Sequence, residues 1–140
     1  MIKEFATMLS FFIVFLSISY IENSYGQNNM TDLDTGNELL NEGKYEEAIV
    51  YYDKALEIEP SDVDALNNKG SALSNLERYG EAIAYYDKAL EIEPNYLNAL
   101  FNKGSDLNNL ERFGEAIPYY DKALEIEPND TDTLSNKGLA

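Results

Sequence analysis

The chain has 140 residues, with 26 Asp and Glu against ten Lys and Arg, no His, no Cys and no Trp, for a formal net charge of −16. Without Cys or His it can build no disulfide, no zinc site of the usual ligands and no Ser-His-Asp or Cys-His nucleophile. A surface this negative repels phosphates, which argues against nucleic acid and against an anionic membrane surface as partners.

The first element in chain order is a leader. Lys3 precedes a largely apolar run from Met8 to Ile21, and Ser24 and Gly26 supply small residues just before Gln27. That order predicts a signal peptide over residues 1–26 and a secreted or otherwise extracytoplasmic chain. The alternative is an uncleaved N-terminal membrane anchor over residues 5–21, near the lower limit for spanning a bilayer. Lys3 inside and Glu22 outside then place the rest of the chain beyond the membrane as well.

After the leader the chain repeats itself. YYDKALEIEP occurs at Tyr51–Pro60, Tyr85–Pro94 and Tyr119–Pro128, each copy 34 residues after the last. The units are about 29–62, 63–96 and 97–130, and the second and third are identical at 25 of 32 aligned positions. Self-similarity at this period marks a solenoid of supersecondary units rather than one continuous core.

Each unit reads as two helices. In the second, Ala65, Leu66, Lys69, Gly70, Leu73 and Leu76 follow helical spacing, with Lys69 contributing its aliphatic stem. Ser61 or Asp62 caps this helix, and Asp64 suggests a capping box. After the turn at Glu77–Gly80, the second helix carries Ala82, Ile83, Tyr86, Ala89, Leu90 and Ile92 on its buried side, and Pro94 ends it. Gly70 and Ala82, like Gly36 with Ala48 and Gly104 with Ala116, permit a close helix crossing. In the third unit Pro118 lies in or just past the first turn, where a slight distortion and no break is expected. Asp106, standing where the second unit has Ala72, is expected to face solvent, because an unpaired buried carboxylate is costly.

These positions resemble the tetratricopeptide repeat (TPR) family. The resemblance rests on Gly36, Tyr45, Ala48, Tyr52, Ala55 and Pro60, on Gly70, Tyr79, Ala82, Tyr86, Ala89 and Pro94, and on Gly104, Phe113, Ala116, Tyr120, Ala123 and Pro128. One departure is the aromatic that often opens the first helix, here Leu66, Leu100 and Leu134. The resemblance implies an all-α fold, a solenoid of antiparallel helix pairs in a right-handed superhelix, whose first helices line a peptide-binding groove.

It places Asn37, Asn41, Asn67, Asn68, Ser71, Asn75, Asn98, Phe101, Asn102, Ser105, Asn109 and Asn136 in that groove. Asn68, Asn102 and Asn136 form one row and Asn41, Asn75 and Asn109 a second. A side-chain amide offers a donor and an acceptor together, matching the backbone of an extended peptide. The family's clamp for the carboxylate end of heat-shock chaperones is not expected. Asn37 and Asn68 match its asparagines, but Leu33, Asn98 and Asn102 stand where it needs lysine or arginine.

The reading is therefore a non-enzymatic adaptor with no catalytic residues, no metal and no cofactor, for a neutral or basic protein or peptide. The alternative is a structural module that self-associates through its solenoid ends, or part of a longer array. Asn29-Met30-Thr31 and Asn129-Asp130-Thr131 are glycosylation acceptor patterns, relevant to an exported chain. The last element, residues 131–140, matches the start of another first helix and is expected to cap the third unit, with Leu134 facing back onto Tyr120 and Leu124.

Overall fold

The computed structural model describes residues 31–140, so the leader expectation for residues 1–26 lies outside the described residues. Seven helices, and no strand, occur among the described residues. They are α1 (Asp32–Asn41), α2 (Tyr45–Ile58), α3 (Val63–Asn75), α4 (Tyr79–Ile92), α5 (Leu97–Asn109), α6 (Phe113–Ile126) and α7 (Thr131–Leu139). Helix pairs α1/α2, α3/α4 and α5/α6 pack within units, while α2/α3, α4/α5 and α6/α7 pack between them. Because α1 also meets α3, and α3 meets α5, the first helices of successive units form one continuous layer.

Local chemistry explains the boundaries. Thr31 and Asp34 form a reciprocal capping box on α1, whereas Asp62 and Asp130 cap α3 and α7 through their carboxylates alone. The box expected at Ser61–Asp64 is thus not the one that forms. Each second helix ends two residues before a proline at Pro60, Pro94 or Pro128, which cannot donate the next helical bond. Pro118 lies inside α6 without ending it. The amide it lacks would have bonded the Gly114 carbonyl, and Gly114 is exposed to water.

The core is built from tyrosine against glycine. Tyr52, Tyr86 and Tyr120 are buried, each beside the glycine of its own unit. A methyl added at Gly36, Gly70 or Gly104 would lie 2.6, 2.5 or 2.6 Å from the ring of that tyrosine. The glycine therefore makes room for a ring of the second helix, and Ala48, Ala82 and Ala116, all fully buried, complete the crossing.

Three expectations need correcting. Ile92 is 46% exposed, because the last turn of α4 runs past the core. Leu134 is 48% exposed, and the residue of α7 that faces inward is Thr133. Thr133 takes the place of the buried Ala65 and Ala99, while among the described residues no second helix packs over Leu134 as α4 and α6 do over Leu66 and Leu100. Lys69 is more than an aliphatic stem. Its ammonium is buried in an ion pair with Asp53 of α2 and donates to the Tyr85 hydroxyl of α4 at 2.7 Å, beside that ring. Lys103 repeats this with Asp87 and with Tyr119 at 2.6 Å, and Lys137 pairs with Asp121. Burial pulls both buried lysines' pKa values down, but the bonds to carboxylate and tyrosine outweigh it and leave each raised.

Candidate functional site

The layer made by α1, α3 and α5 carries a connected set of amides. The Asn37 carbonyl oxygen accepts from the Tyr52 hydroxyl at 3.0 Å and from Asn68 Nδ2 at 2.8 Å. Asn67 Nδ2 donates to Asn68 Oδ1 at 3.0 Å, and Asn102 Nδ2 donates to Asn67 Oδ1 at 3.2 Å. Four asparagines are thus joined across three units. Among the described residues, N–H groups on Asn37, Asn67, Asn68 and Asn102, and the Asn102 carbonyl, have no partner within this set.

The other expected groove residues separate into two kinds. Asn41, Asn75 and Asn109 are exposed near the ends of their helices, and Asn75 folds back to donate to the Ser71 carbonyl at 2.8 Å. Ser71, Ser105 and Asn136 are half-buried, and the Asn136 backbone carbonyl accepts from Asn108 Nδ2 at 3.1 Å. Asn98 is exposed, and the half-buried Phe101 ring packs tilted against Tyr120 with centroids 6.4 Å apart. The rows named from the sequence are therefore not equivalent. The row through Asn68 and Asn102 is bonded between units, while Asn41, Asn75 and Asn109 are exposed at the helix ends.

Asp106 overturns its expectation. It is 2% exposed and lies between α5 and α3, accepting from the Ser74 hydroxyl at 2.6 Å, while its other oxygen is buried without a partner. Position 106 belongs to the same inward register as Ala72, and Ser74 of the preceding unit supplies the bond that makes a carboxylate tolerable there. Burial raises the Asp106 pKa to about 6 against the bond from Ser74. Its negative charge adds to burial in pushing the Tyr120 hydroxyl up to about 12.

This has a measurable consequence. An unfolded chain releases this proton near pH 4, but the folded one holds it to about pH 6. Between those values the native state binds more protons, so Asp106 contributes stability that grows as pH falls from 7 to 5. The expected effect on unfolding free energy is on the order of 1 kcal/mol after allowance for screening. Asp106→Asn should flatten the melting temperature across that window. A slope unchanged in the variant refutes the assignment. Asp34 and Asp130, held low by hydrogen bonds from Thr31 and Thr133, lose their contribution only as pH falls below about 4.

Between α5 and α7 lies a cavity of about 240 Å³, walled by Leu97, Asn98 and Phe101 on one side and by Asp130, Asp132 and Thr133 on the other. Glu127, at the end of α6, also lines it. Among the described residues no group of three or more acidic side chains is placed to hold a metal ion.

The lysine ladder and the buried Asp106 were both missed in the sequence. The ladder had a signal, since Asp53, Lys69 and Tyr85 are 16 residues apart in turn, as are Asp87, Lys103 and Tyr119.

Sequence models of one family, described as tetratricopeptide repeat, match residues 33–96 and 97–130. No curated protein matches the chain. Among solved structures, the first TPR of Spaghetti (RPAP3) bound to HSP90 peptide SRMEEVD is 27% identical, with 76% of this chain and 85% of that chain covered and a TM-score of 0.75. The first TPR domain of the human RPAP3 protein is 27% identical, with 77% and 85% covered and a TM-score of 0.74. MamA from Desulfovibrio magneticus RS-1 is 29% identical, with 76% of this chain and 60% of that chain covered and a TM-score of 0.73.

Proposed function

The chain belongs to the tetratricopeptide repeat family, and from that premise we propose that it is a non-enzymatic adaptor holding an extended segment of a partner protein along the α1, α3, α5 layer. The observation that carries this reading is the amide network. It fixes asparagines of three units in one register and leaves donors and an acceptor for a peptide backbone. The signal-peptide pattern read in residues 1–26 supports an extracytoplasmic place of action.

The similar Spaghetti domain holds an acidic peptide, SRMEEVD. This chain is suited to the opposite charge. Leu33, Asn98 and Asn102 stand at the positions where an acidic ligand needs cations. The lysines of the first helices face acidic partners, Asp53, Asp87 and Asp121, and both arginines pair with Glu81 and Glu115. Lys54 and Lys88 lie over tyrosine rings, and Lys122 donates to the Pro94 carbonyl. A neutral or basic segment meets an acidic domain without losing hydrogen-bonded charge.

The test is an array of short acidic, neutral and basic peptides probed with the full chain. Basic and neutral peptides are expected to bind, with affinity of the basic ones falling several-fold between low and physiological salt. Preferential capture of acidic peptides refutes the charge preference, and no peptide binding at all refutes the adaptor reading. The second reading, self-association, draws on the exposure of Leu134, whose equivalents Leu66 and Leu100 are buried. Sedimentation over a range of concentrations separates the two, since a monomer throughout excludes it.

A further inference from the structure

We propose that the cavity between α5 and α7 is the specificity pocket of this groove, and that it takes a basic side chain, arginine in preference to lysine, from the bound segment. The proposal rests on the adaptor reading and adds the chemistry of one subsite to it.

The repeat supplies its own comparison. Position 130, where Asp130 borders the cavity, corresponds one unit earlier to Tyr96. Tyr96 is half-buried, packs against the core cluster of Leu66, Tyr86 and Ala99, and donates its hydroxyl to Asp64 of α3. The junction of the second and third units is thus filled by a side chain with a flat apolar body and a hydrogen-bond donor at its tip. At the next junction the tyrosine is replaced by aspartate, and a cavity of about 240 Å³ stands there. Position 62, one unit before Tyr96, is also aspartate, and a cavity of about 250 Å³ adjoins it.

The lining states what would replace the ring. Leu97 and the half-buried Phe101 offer an apolar wall and an aromatic edge for a hydrocarbon stem or a flat guanidinium. Asp130, Asp132 and Glu127 surround the opening with carboxylates. Asp130 is held charged by Thr133, whose backbone N–H reaches one of its oxygens at 3.0 Å and whose hydroxyl donates to the same oxygen. The positive N-terminus of α7 opposes a cation here, but the carbonyl end of α6 at Glu127 favours one, so the carboxylates decide the sign. Arginine suits the site better than lysine because its planar fork stacks on Phe101 and can bridge two carboxylates. Asn98 and Phe101 also belong to the expected groove, so an extended segment on the amide network can lower one side chain into this cavity.

The experiment titrates the isotope-labelled full chain with N-acetylarginine amide and, in parallel, N-acetylnorleucine amide, following backbone amide resonances. Arginine is expected to shift Leu97 to Phe101 and Asp130 to Thr133, and norleucine to shift them several-fold less. Asp130→Tyr, which places a ring where Tyr96 stands one unit earlier, with Asn98 in the place of Asp64, should abolish the response. Asp132→Asn, at an exposed position that leaves the core untouched, should weaken it several-fold. Equal responses to both probes, shifts spread over the acidic surface, or a response undiminished in either variant overturns the pocket. A chain that binds peptides on the array with no enrichment of arginine, and equally well as Asp130→Tyr, refutes the pocket alone. A localised arginine response with no peptide bound refutes the adaptor reading and keeps the pocket.

Discussion

Gly70→Leu is expected to unfold the domain or to lower its melting temperature steeply. A methyl at position 70 already lies 2.5 Å from Tyr86 Cε1 and 2.9 Å from Cδ1. The ring cannot yield, because Tyr86 is 1% exposed and belongs to the cluster with Leu66, Leu73, Ala82, Ala89 and Ala99. Overpacking of a core by a few methylenes costs about 1–3 kcal/mol where the surroundings can adjust, and more where they cannot. Against a marginal native stability, that decides between folded and unfolded. Gly104→Leu should behave alike, through Tyr120. Gly80→Ala is the control, since nothing lies within 4 Å of a methyl there and a helical glycine gains up to about 1 kcal/mol as alanine. Circular-dichroism melts of the three variants settle the matter. Wild-type stability in Gly70→Leu would show that the tyrosine does not rest on the glycine.

That contrast also explains what the sequence disclosed. Repeat register is legible because a fixed set of small residues, Gly70 and Ala82 with their equivalents, recurs at one spacing, and only close packing makes glycine and alanine useful there. Helix ends were legible from the prolines and from Asp62. Asp106 was not, because its fate depends on Ser74, 32 residues earlier on a different helix, whose hydroxyl has no reason to be paired until the units stack. The groove was half legible. Family resemblance located the asparagines, but not that Asn67 would be 4% exposed and spent on its neighbours while Asn41, Asn75 and Asn109 remain outside the network. Leu134 misled because equivalence in the repeat is not equivalence in burial, since Leu66 and Leu100 each lie beneath a second helix of their own unit.

The lysine ladder makes the sharpest test of what ties one unit to the next. Its two charges are unequally placed, with the Lys103 side chain 9% exposed and that of Asp87 47% exposed. Removing the anion strands a buried ammonium on the Tyr119 hydroxyl and ring. Asp87→Asn should therefore cost about 2 kcal/mol at neutral pH. Removing the cation returns a half-exposed carboxylate to water. Lys103→Met should accordingly cost little, or stabilise, because an apolar side chain of similar length keeps the packing. The two halves of one ion pair thus give opposite results, which no account based on pair attraction alone predicts. The pH dependence inverts with them. In the wild-type chain the raised pKa of Lys103 means its contribution is complete below the unfolded value near 10.4 and is lost as pH rises through the folded one. Without Asp87, burial dominates and the lysine's pKa falls below its unfolded value. Asp87→Asn should then recover stability between pH 8 and 10, where the wild type gains none. Urea titrations of both variants at pH 7 and pH 10 measure all four numbers. If Lys103→Met proves as harmful as Asp87→Asn, the ladder contributes net stability. If it is neutral, the ladder's contribution is to register, holding α4, α5 and α6 at the spacing that lets Asn102 reach Asn67 and keeps the groove amides in line.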